Sequence, residues 1–152
     1  MSEMIRFAKV EDAEALAKLE MENFDEPWSA KNFADCISNA QGRVVVFEDR
    51  DAPQGAKELL GCVAFYYAAD EGEIDSVVVK KTARKCGIGG KMLAFLHQEV
   101  ENLDVHYIFL EVRESNLPAQ KLYEKMGYEQ VGKRPKFYQN PVEDAYIYRR
   151  EQ

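Results

Sequence analysis

The stretch from Val77 to Lys91 constrains the fold most, because it joins a β-branched run to a glycine-rich turn and then to an amphipathic segment. The run Val77-Val78-Val79 favours a strand, and the periodic apolar residues after Gly87 favour a helix. Glycines let the backbone approach a ligand closely, and the unpaired N–H groups at the start of a helix attract negative charge. A strand, a glycine turn and a helix in this order therefore predict a site for a phosphate group.

The spacing of the glycines excludes two common phosphate loops. A P-loop ends in Gly-Lys followed by Ser or Thr, but Met92 follows Gly90-Lys91, and Lys85 stands where the first glycine belongs. A dinucleotide fingerprint needs a third glycine at the position of Met92. The pattern that remains, Arg84-x-x-Gly87-x-Gly89, is by itself also compatible with a solvated basic turn.

Composition restricts the class of protein. The 152 residues fit one domain spanning 1–152, and no apolar run approaches the ~20 residues of a membrane span. A net charge of −7 argues against nucleic-acid binding, so the basic residues around the turn favour a small anionic ligand. Three cysteines without a C-x-x-C pair predict a reduced, cytoplasmic setting. Two histidines without metal-ligand spacing predict no metal site.

The hydrophobic pattern predicts the element order β-α-α-β-β-β-α-β-α-β-β. We expect the first strand at Ile5–Val10, and a first helix with Met21 and Phe24 on its apolar face. The helix after the glycine turn is expected at 87–103, and a hairpin loop at 49–57. Strands interrupted singly by helices predict an α+β fold, in which helices cover both faces of a mixed sheet.

A carboxylate and a phenol stand out in the second half of the chain. Glu111 ends an otherwise apolar strand, where ligands bind in open α/β sheets and where partial burial suits a proton acceptor. The helix that follows Asn116 turns Tyr123 inward. Taken alone, these residues are equally compatible with a solvated carboxylate, a helix cap and a core tyrosine.

The segments Leu110–Asn116 and Leu122–Tyr128, together with the glycine turn, resemble the GNAT superfamily of N-acetyltransferases. Within it the resemblance is to the RimI group, the ribosomal-protein alanine N-acetyltransferases, whose pattern is LEVR-x-SN followed by A-x-x-LY-x-x-x-GF/Y. Pro27-Trp28-Ser29 and Glu143-Asp144-Ala145 agree as well, so the resemblance spans nearly the whole chain. It implies the GNAT fold, with a mixed, mostly antiparallel central sheet, and acetyl-coenzyme A as the cosubstrate.

The resemblance also implies roles for individual residues. Glu111 corresponds to the general base that takes a proton from the attacking amine, and Tyr123 to the general acid that protonates the coenzyme A thiolate. Trp28 and Tyr138 are expected to flank the acceptor groove. The residues implied in cofactor binding lie in one strand, in the turn and at a helix cap: Val77, Val78, Val79, Arg84, Lys85, Cys86, Gly87, Ile88, Gly89, Gly90 and Asn116.

The resemblance implies that the acceptor is the N-terminal α-amine of a protein, and specifically that of an alanine on a ribosomal protein. It also implies that the acetyl group passes directly from acetyl-coenzyme A to this amine. Two alternatives stay open: a small amine (a polyamine, an amino acid or an aminoglycoside) as acceptor, and a non-catalytic acyl-coenzyme A sensor. Aromatic loops around Trp28 and residues 134–141 would favour a peptide backbone. A pocket lined by carboxylates would instead favour a polyamine.

Overall fold

Strands and helices follow one another in the predicted order in the computed structural model, which describes residues 3–51 and 58–152. The strands are β1 (Glu3–Phe7), β2 (Gly42–Asp49), β3 (Glu58–Ala68), β4 (Glu71–Val79), β5 (Tyr107–Arg113), β6 (Glu129–Tyr138) and β7 (Glu143–Glu151). The helices are α1 (Ala13–Met21), α2 (Ala30–Ser38), α3 (Ile88–Val100) and α4 (Leu117–Lys125). Residues 52–57 of the predicted hairpin loop lie outside the described residues.

The strands form a seven-stranded sheet in the order β1-β2-β3-β4-β5-β7-β6. All neighbouring strands are antiparallel except β4 and β5. The parallel pairing of β4 with β5 covers only Glu71–Ile74 opposite Tyr107–Leu110. Beyond Ile74 the two strands separate, so the second half of β4 has no strand partner on its β5 side among residues 3–51 and 58–152.

Helices cover both faces of the sheet, as predicted. On one face α3 and α4 pack over the centre of the sheet, and their core includes Leu96 and Ile108, both fully buried. On the other face α1 and α2 pack over β2 and β3 around Leu16 and Phe33. This arrangement confirms the expected α+β class with a mixed, mostly antiparallel sheet.

Several predicted boundaries are wrong. β1 ends at Phe7, because the Asp12 carboxylate accepts the Lys9 N–H at 2.7 Å and turns the chain into a short 3₁₀ helix. The helix α3 covers Ile88–Val100 rather than 87–103.

The apolar face of the first helix is shorter than predicted. α1 ends at Met21, whose side chain is exposed, and the chain then turns through Phe24, which is exposed as well. At the other end of the chain, Phe137 and Tyr138 belong to β6 and not to the loop after it. Phe24, Phe137 and Tyr138 all line an open cleft. Hydrophobicity alone does not distinguish such a lining residue from a residue of a buried face.

None of the helices in the described parts of the chain is long and apolar enough to cross a membrane. Within 3–51 and 58–152, no group of three or more His, Cys, Asp or Glu side chains is arranged to hold a metal ion.

Candidate active site

A β-bulge in the middle of β4 opens the sheet. Across β3 and β4, Ala64 pairs with Ser76 whereas Phe65 pairs with Ile74, so Asp75 is an extra residue on β4. A bulge bends its strand and increases the local twist. The bulge lies directly after the last parallel pair of β4 and β5, and the two strands diverge from that point.

A cavity of about 730 Å³ fills the space between the diverging strands. Six of the residues singled out from the sequence line it, although they come from β4, β5, β6, α4 and the segment between α1 and α2. They are Trp28, Val77, Glu111, Asn116, Tyr123 and Tyr138. The cavity is therefore where the predicted acid, base and acceptor-binding residues meet.

Glu111 lies near the end of β5 with its side chain mostly buried. Burial raises the pKa of this carboxyl, and the negative charge of Glu73 acts in the same direction. Arg134 of β6 opposes both effects, because its Nε lies 3.0 Å from Glu111 Oε1 and its positive charge lowers the pKa. Arg134 was missed by sequence reasoning, since only the pairing of β5 with β7 and of β7 with β6 brings it near.

Tyr123 points from α4 into the same cavity. Its ring packs edge-on against Tyr128 at 5.9 Å between centroids, and only 7 % of the residue is exposed. Among residues 3–51 and 58–152 the Tyr123 hydroxyl has no hydrogen-bond partner. Every fully buried side-chain N or O atom in these residues does have a partner, so the Tyr123 hydroxyl is not fully buried and opens to the cavity. Burial raises the pKa of Tyr123 well above its usual value, which keeps the phenol protonated at neutral pH.

Trp28 both packs on the core and lines the cavity. Its ring lies 5.1 Å from Phe33 and 6.4 Å from Tyr66, between centroids. Its backbone N–H donates to the Glu20 carboxylate at 3.2 Å, and the Ser76 hydroxyl donates to the same carboxylate at 2.8 Å. Glu20 therefore joins the Trp28 segment to β4 beside the bulge.

Tyr138 is held at the rim by Arg113. The guanidinium of Arg113 lies 4.5 Å from the centre of the Tyr138 ring and forms an ion pair with Glu143 at 2.9 Å. Arg113 also donates to the Gln139 carbonyl at 2.8 Å, and Glu143 accepts the Ser115 N–H at 3.0 Å. This network fixes the end of β6 to β5 and to the segment that precedes α4.

The glycine turn lies outside the lining of the cavity. Gly87 has φ +75° and an added Cβ would meet no atom within 4 Å, so glycine at 87 serves the backbone conformation. Gly89 serves packing, because a Cβ there would lie 3.0 Å from Leu122 Cδ2. The side chains of Ile88 and Val78 are buried in the two cores, so these residues can meet a ligand only through their backbones.

The turn and the free side of β4 fit a long ligand with amide groups and a phosphate end. The first helical hydrogen bond of α3 runs from Lys91 N–H to the Gly87 carbonyl, and the N–H groups before it face the turn. Arg84 and Lys85 add positive charge next to them. Arg84 is held by Asn23, whose Oδ1 lies 2.9 Å from its guanidinium. The unpaired backbone of β4 after Ile74 leads from this end into the cavity.

The negative charge of the cavity is a second feature that is not evident from the sequence alone. Six carboxylates line it: Glu20, Asp25, Glu26, Glu73, Asp75 and Glu111. The sequence holds a signal for some of them, because Glu73 and Asp75 alternate along a strand and Glu20 interrupts the apolar stripe of α1. Burial, followed by the charges of Glu73 and Glu111, raises the pKa of Asp75 to about 7.

The arrangement suits proton transfer around a nucleophile whose protonated form carries positive charge, such as an amine. A carboxylate and a protonated phenol face one cavity, one able to accept a proton and the other to donate one. The surrounding carboxylates attract a cationic group.

Comparison with known proteins agrees with this geometry. The sequence model described as the acetyltransferase (GNAT) family matches residues 12–128. The ribosomal protein bS18-alanine N-acetyltransferase of Escherichia coli K12 is 32% identical over 123 residues, 80% of this chain and 78% of that protein. An uncharacterized N-acetyltransferase of Methanocaldococcus jannaschii is 31% identical over 154 residues, 95% and 88% of the two chains.

A solved structure shares the fold. The crystal structure of the ribosomal-protein-S18-alanine N-acetyltransferase from Escherichia coli superposes with a TM-score of 0.86 and 24% identity, covering 99% of this chain and 94% of the other.

Replacing Arg134 tests the electrostatic environment of Glu111. Arg134→Gln removes the nearby positive charge, so the pKa of Glu111 should rise further above its usual value. Titration of the Glu111 carboxyl by carbon-detected NMR measures this shift. The control is Lys133→Gln, which removes the neighbouring cation of β6 that pairs with Asp144 at 3.0 Å. An unchanged or lowered pKa in Arg134→Gln would contradict the assignment.

Proposed function

Because the chain belongs to the acetyltransferase (GNAT) family, whose members use acetyl-coenzyme A, we propose that it acetylates the N-terminal α-amine of a protein. The observation that carries this proposal is the meeting of Glu111 and Tyr123 in one cavity at the divergence of β4 and β5. We further propose a ribosomal protein with an N-terminal alanine as the acceptor, in line with the names of the relatives. Residues 1–152 then act as one domain, in the cytoplasm.

The cofactor site is assigned to the backbone of Val77–Val79, the turn Arg84–Gly90 and Asn116. The bound cofactor supplies a thioester carbonyl for attack by an amine. The α3 N-terminus and Arg84 suit its pyrophosphate, because unpaired N–H groups and positive charge stabilise phosphate. The unpaired N–H and C=O groups of β4 suit the amides of its pantetheine arm.

Glu111 and Tyr123 carry the proton transfers in this proposal. An amine attacks only in its neutral form, and Glu111, whose pKa burial raises and Arg134 partly lowers again, accepts a proton from it. Tyr123 keeps its proton at neutral pH and donates it to the departing sulfur. Both groups line the same cavity, which supports a role for Tyr123 in addition to its packing in the core.

The rim of the cavity supports a peptide acceptor. Trp28, Phe137 and Tyr138 provide an aromatic border, and Tyr138 is fixed by Arg113. A second candidate acceptor is a small cationic amine such as a polyamine, which the six carboxylates of the cavity favour. A charged α-ammonium group would benefit from the same carboxylates, so charge alone does not separate the two acceptors.

The phosphate assignment predicts a charge effect at Cys86, an exposed residue of the turn. Cys86→Glu places a negative charge beside the proposed pyrophosphate, whereas Cys86→Gln adds nearly the same volume without charge. Acetyl-coenzyme A affinity should fall at least about tenfold in the Glu variant relative to the Gln variant, the effect of one nearby like charge. Isothermal titration calorimetry measures both, and equal affinities would refute the assignment.

The acid assignment predicts different losses at two neighbouring tyrosines. Tyr123→Phe should lower kcat by about 10²-fold or more with little effect on stability, because only a proton donor is removed. The control Tyr128→Phe removes a hydroxyl that lies 2.8 Å from His97 Nε2, and it should cost about 1 kcal/mol of stability and keep kcat. Steady-state kinetics measures kcat of both variants, and thermal unfolding measures their stability. A Tyr123→Phe enzyme with normal kcat would contradict the acid role.

An acceptor panel tests the function itself. Peptides that begin with alanine should be acetylated faster than the same peptides with a blocked N-terminus or than spermidine, and Glu111→Gln should lower kcat with every acceptor. Tyr138→Ala should raise KM for the peptide and spare KM for acetyl-coenzyme A, since it removes binding in one half of the site. Val142→Ala, at an exposed position of the same hairpin, is the control. Faster acetylation of spermidine than of any peptide would favour the small-amine function.

A further inference from the structure

A second cavity, of about 620 Å³, opens on the sheet next to the first one. Glu73, Leu110 and Glu111 line both, so the two cavities adjoin. From this shared wall the second cavity extends along β4 and β5 toward Glu71 and Phe109, away from the glycine turn. Its far end takes no part in the acetyl transfer proposed above.

The second cavity lies on the face of the sheet opposite α3 and α4. Ile74 and Ile108 pack in the core with those helices. Side chains alternate along a strand, so Glu71, Glu73 and Phe109 point to the other face. On that face α1 and α2 pack over β2 and β3, and Phe109 of β5 is only half-buried. The cavity is therefore open to a partner that arrives from the α1 and α2 side of the sheet.

The walls of the second cavity combine aromatic rings with carboxylates. Rings from the end of β3 and from β5 form one part of the lining, and carboxylates from the start of β4 form another: Tyr66, Tyr67, Phe109, Glu71 and Glu73. The aliphatic stem of a lysine or arginine packs against such rings while its charged head reaches a carboxylate. Arg43 shows this preference at the edge of the cavity, because its guanidinium lies 5.7 Å from the centre of the Tyr67 ring. The lining suits a cationic side chain with an aliphatic stem.

The negative charge of the second cavity is not neutralised from within. Among the described residues that line it, Arg134 is the one cation, and its Nε lies 3.0 Å from Glu111 Oε1. Glu71 and Glu73 are exposed, and neither forms an ion pair with another residue of 3–51 or 58–152. Two carboxylates thus remain to attract a cation from outside the chain.

The distance from Glu111 indicates which part of an acceptor meets the second cavity. Glu111 and Phe109 are two residues apart on β5, about 7 Å along the strand. An extended peptide covers about the same distance in two residues. An acceptor whose α-amine lies at Glu111 therefore brings the side chain of its second or third residue to the second cavity.

We propose that the second cavity is a specificity subsite that holds the cationic side chain of the second or third residue of the acceptor protein. This proposal rests on the proposed acetylation of an N-terminal α-amine. Glu71 attracts the charged head group, and the rings of Tyr67 and Phe109 pack against its stem. The occupant belongs to the acceptor chain, because the cavity adjoins the one proposed for the α-amine and its charge is opposite to that of the side chain.

Peptides that begin with alanine and differ at one position test the subsite. Lysine at position 2 or at position 3 should raise kcat/KM about tenfold over norleucine, because an ion pair and a cation–π contact are both gained on the same aliphatic stem. Lysine at position 8, beyond the reach of the cavity, should match norleucine at that position. An equal gain near the N-terminus and at position 8 would indicate only general attraction to an acidic surface and would overturn the subsite.

A charge swap at Glu71 links the lysine preference to this cavity. Glu71→Lys should abolish the preference, and a peptide with glutamate at the same position should then be acetylated faster than the lysine peptide. The matched control is Glu99→Lys, which makes the same change in charge at an exposed residue of α3 and should keep the wild-type preference. A Glu71→Lys enzyme that still prefers the lysine peptide would contradict the proposal.

Peptide binding gives a readout without turnover. Ile147 lines the second cavity and not the first, so the NMR signal of its labelled methyl group should shift with the lysine peptide and shift less with the norleucine peptide. Ile37 of α2 lines neither cavity and is the reference. An unmoved Ile147 signal at peptide concentrations well above KM would overturn the subsite and leave acetyl transfer standing. A wild-type enzyme that acetylates no peptide would overturn the proposed function, and the subsite with it.

Discussion

The separation of β4 from β5 after Ile74 is the constraint on which the rest of the structure depends. The bulge at Asp75 ends the parallel pairing, and a sheet that would otherwise be closed gains an opening at its centre. The opening frees the backbone of β4 for a ligand and exposes the end of β5, where Glu111 lies. Without it, that backbone would be paired within the sheet and the cavity would not exist.

Electrostatics then gives different properties to side chains that share the opening. Burial raises the pKa of Glu111 and Arg134 opposes that shift, whereas burial and like charges together raise the pKa of Asp75 to about 7. Tyr123 keeps its proton because its ring is buried and its hydroxyl has no cationic partner among the described residues. Acids and bases in one site can act together when their pKa values differ, as those of a buried phenol and of the carboxyls beside it do.

The second half of the chain fixes the geometry of this opening. α4 begins at Asn116, whose side chain accepts the Ala119 N–H, and the helix carries Tyr123 beneath the cavity. Arg113 and Glu143 tie the end of β6 to the same segment. Tyr123, Glu111 and the rim residue Tyr138 are thus all carried by regular elements, and an ion pair joins two of these elements.

The sequence by itself determined the element order and the mixed sheet, because hydrophobic periodicity acts over a few residues, and its resemblance to the GNAT superfamily pointed to six of the residues that line the cavity. The alternation of Glu73 and Asp75 was also present in the sequence. Only the tertiary structure decided that a bulge brings these carboxyls beside Glu111, and that Arg134, reached through two strand pairings, lies next to it and lowers its pKa. Burial and long-range charge contacts control pKa values, and neither is a local property of the chain.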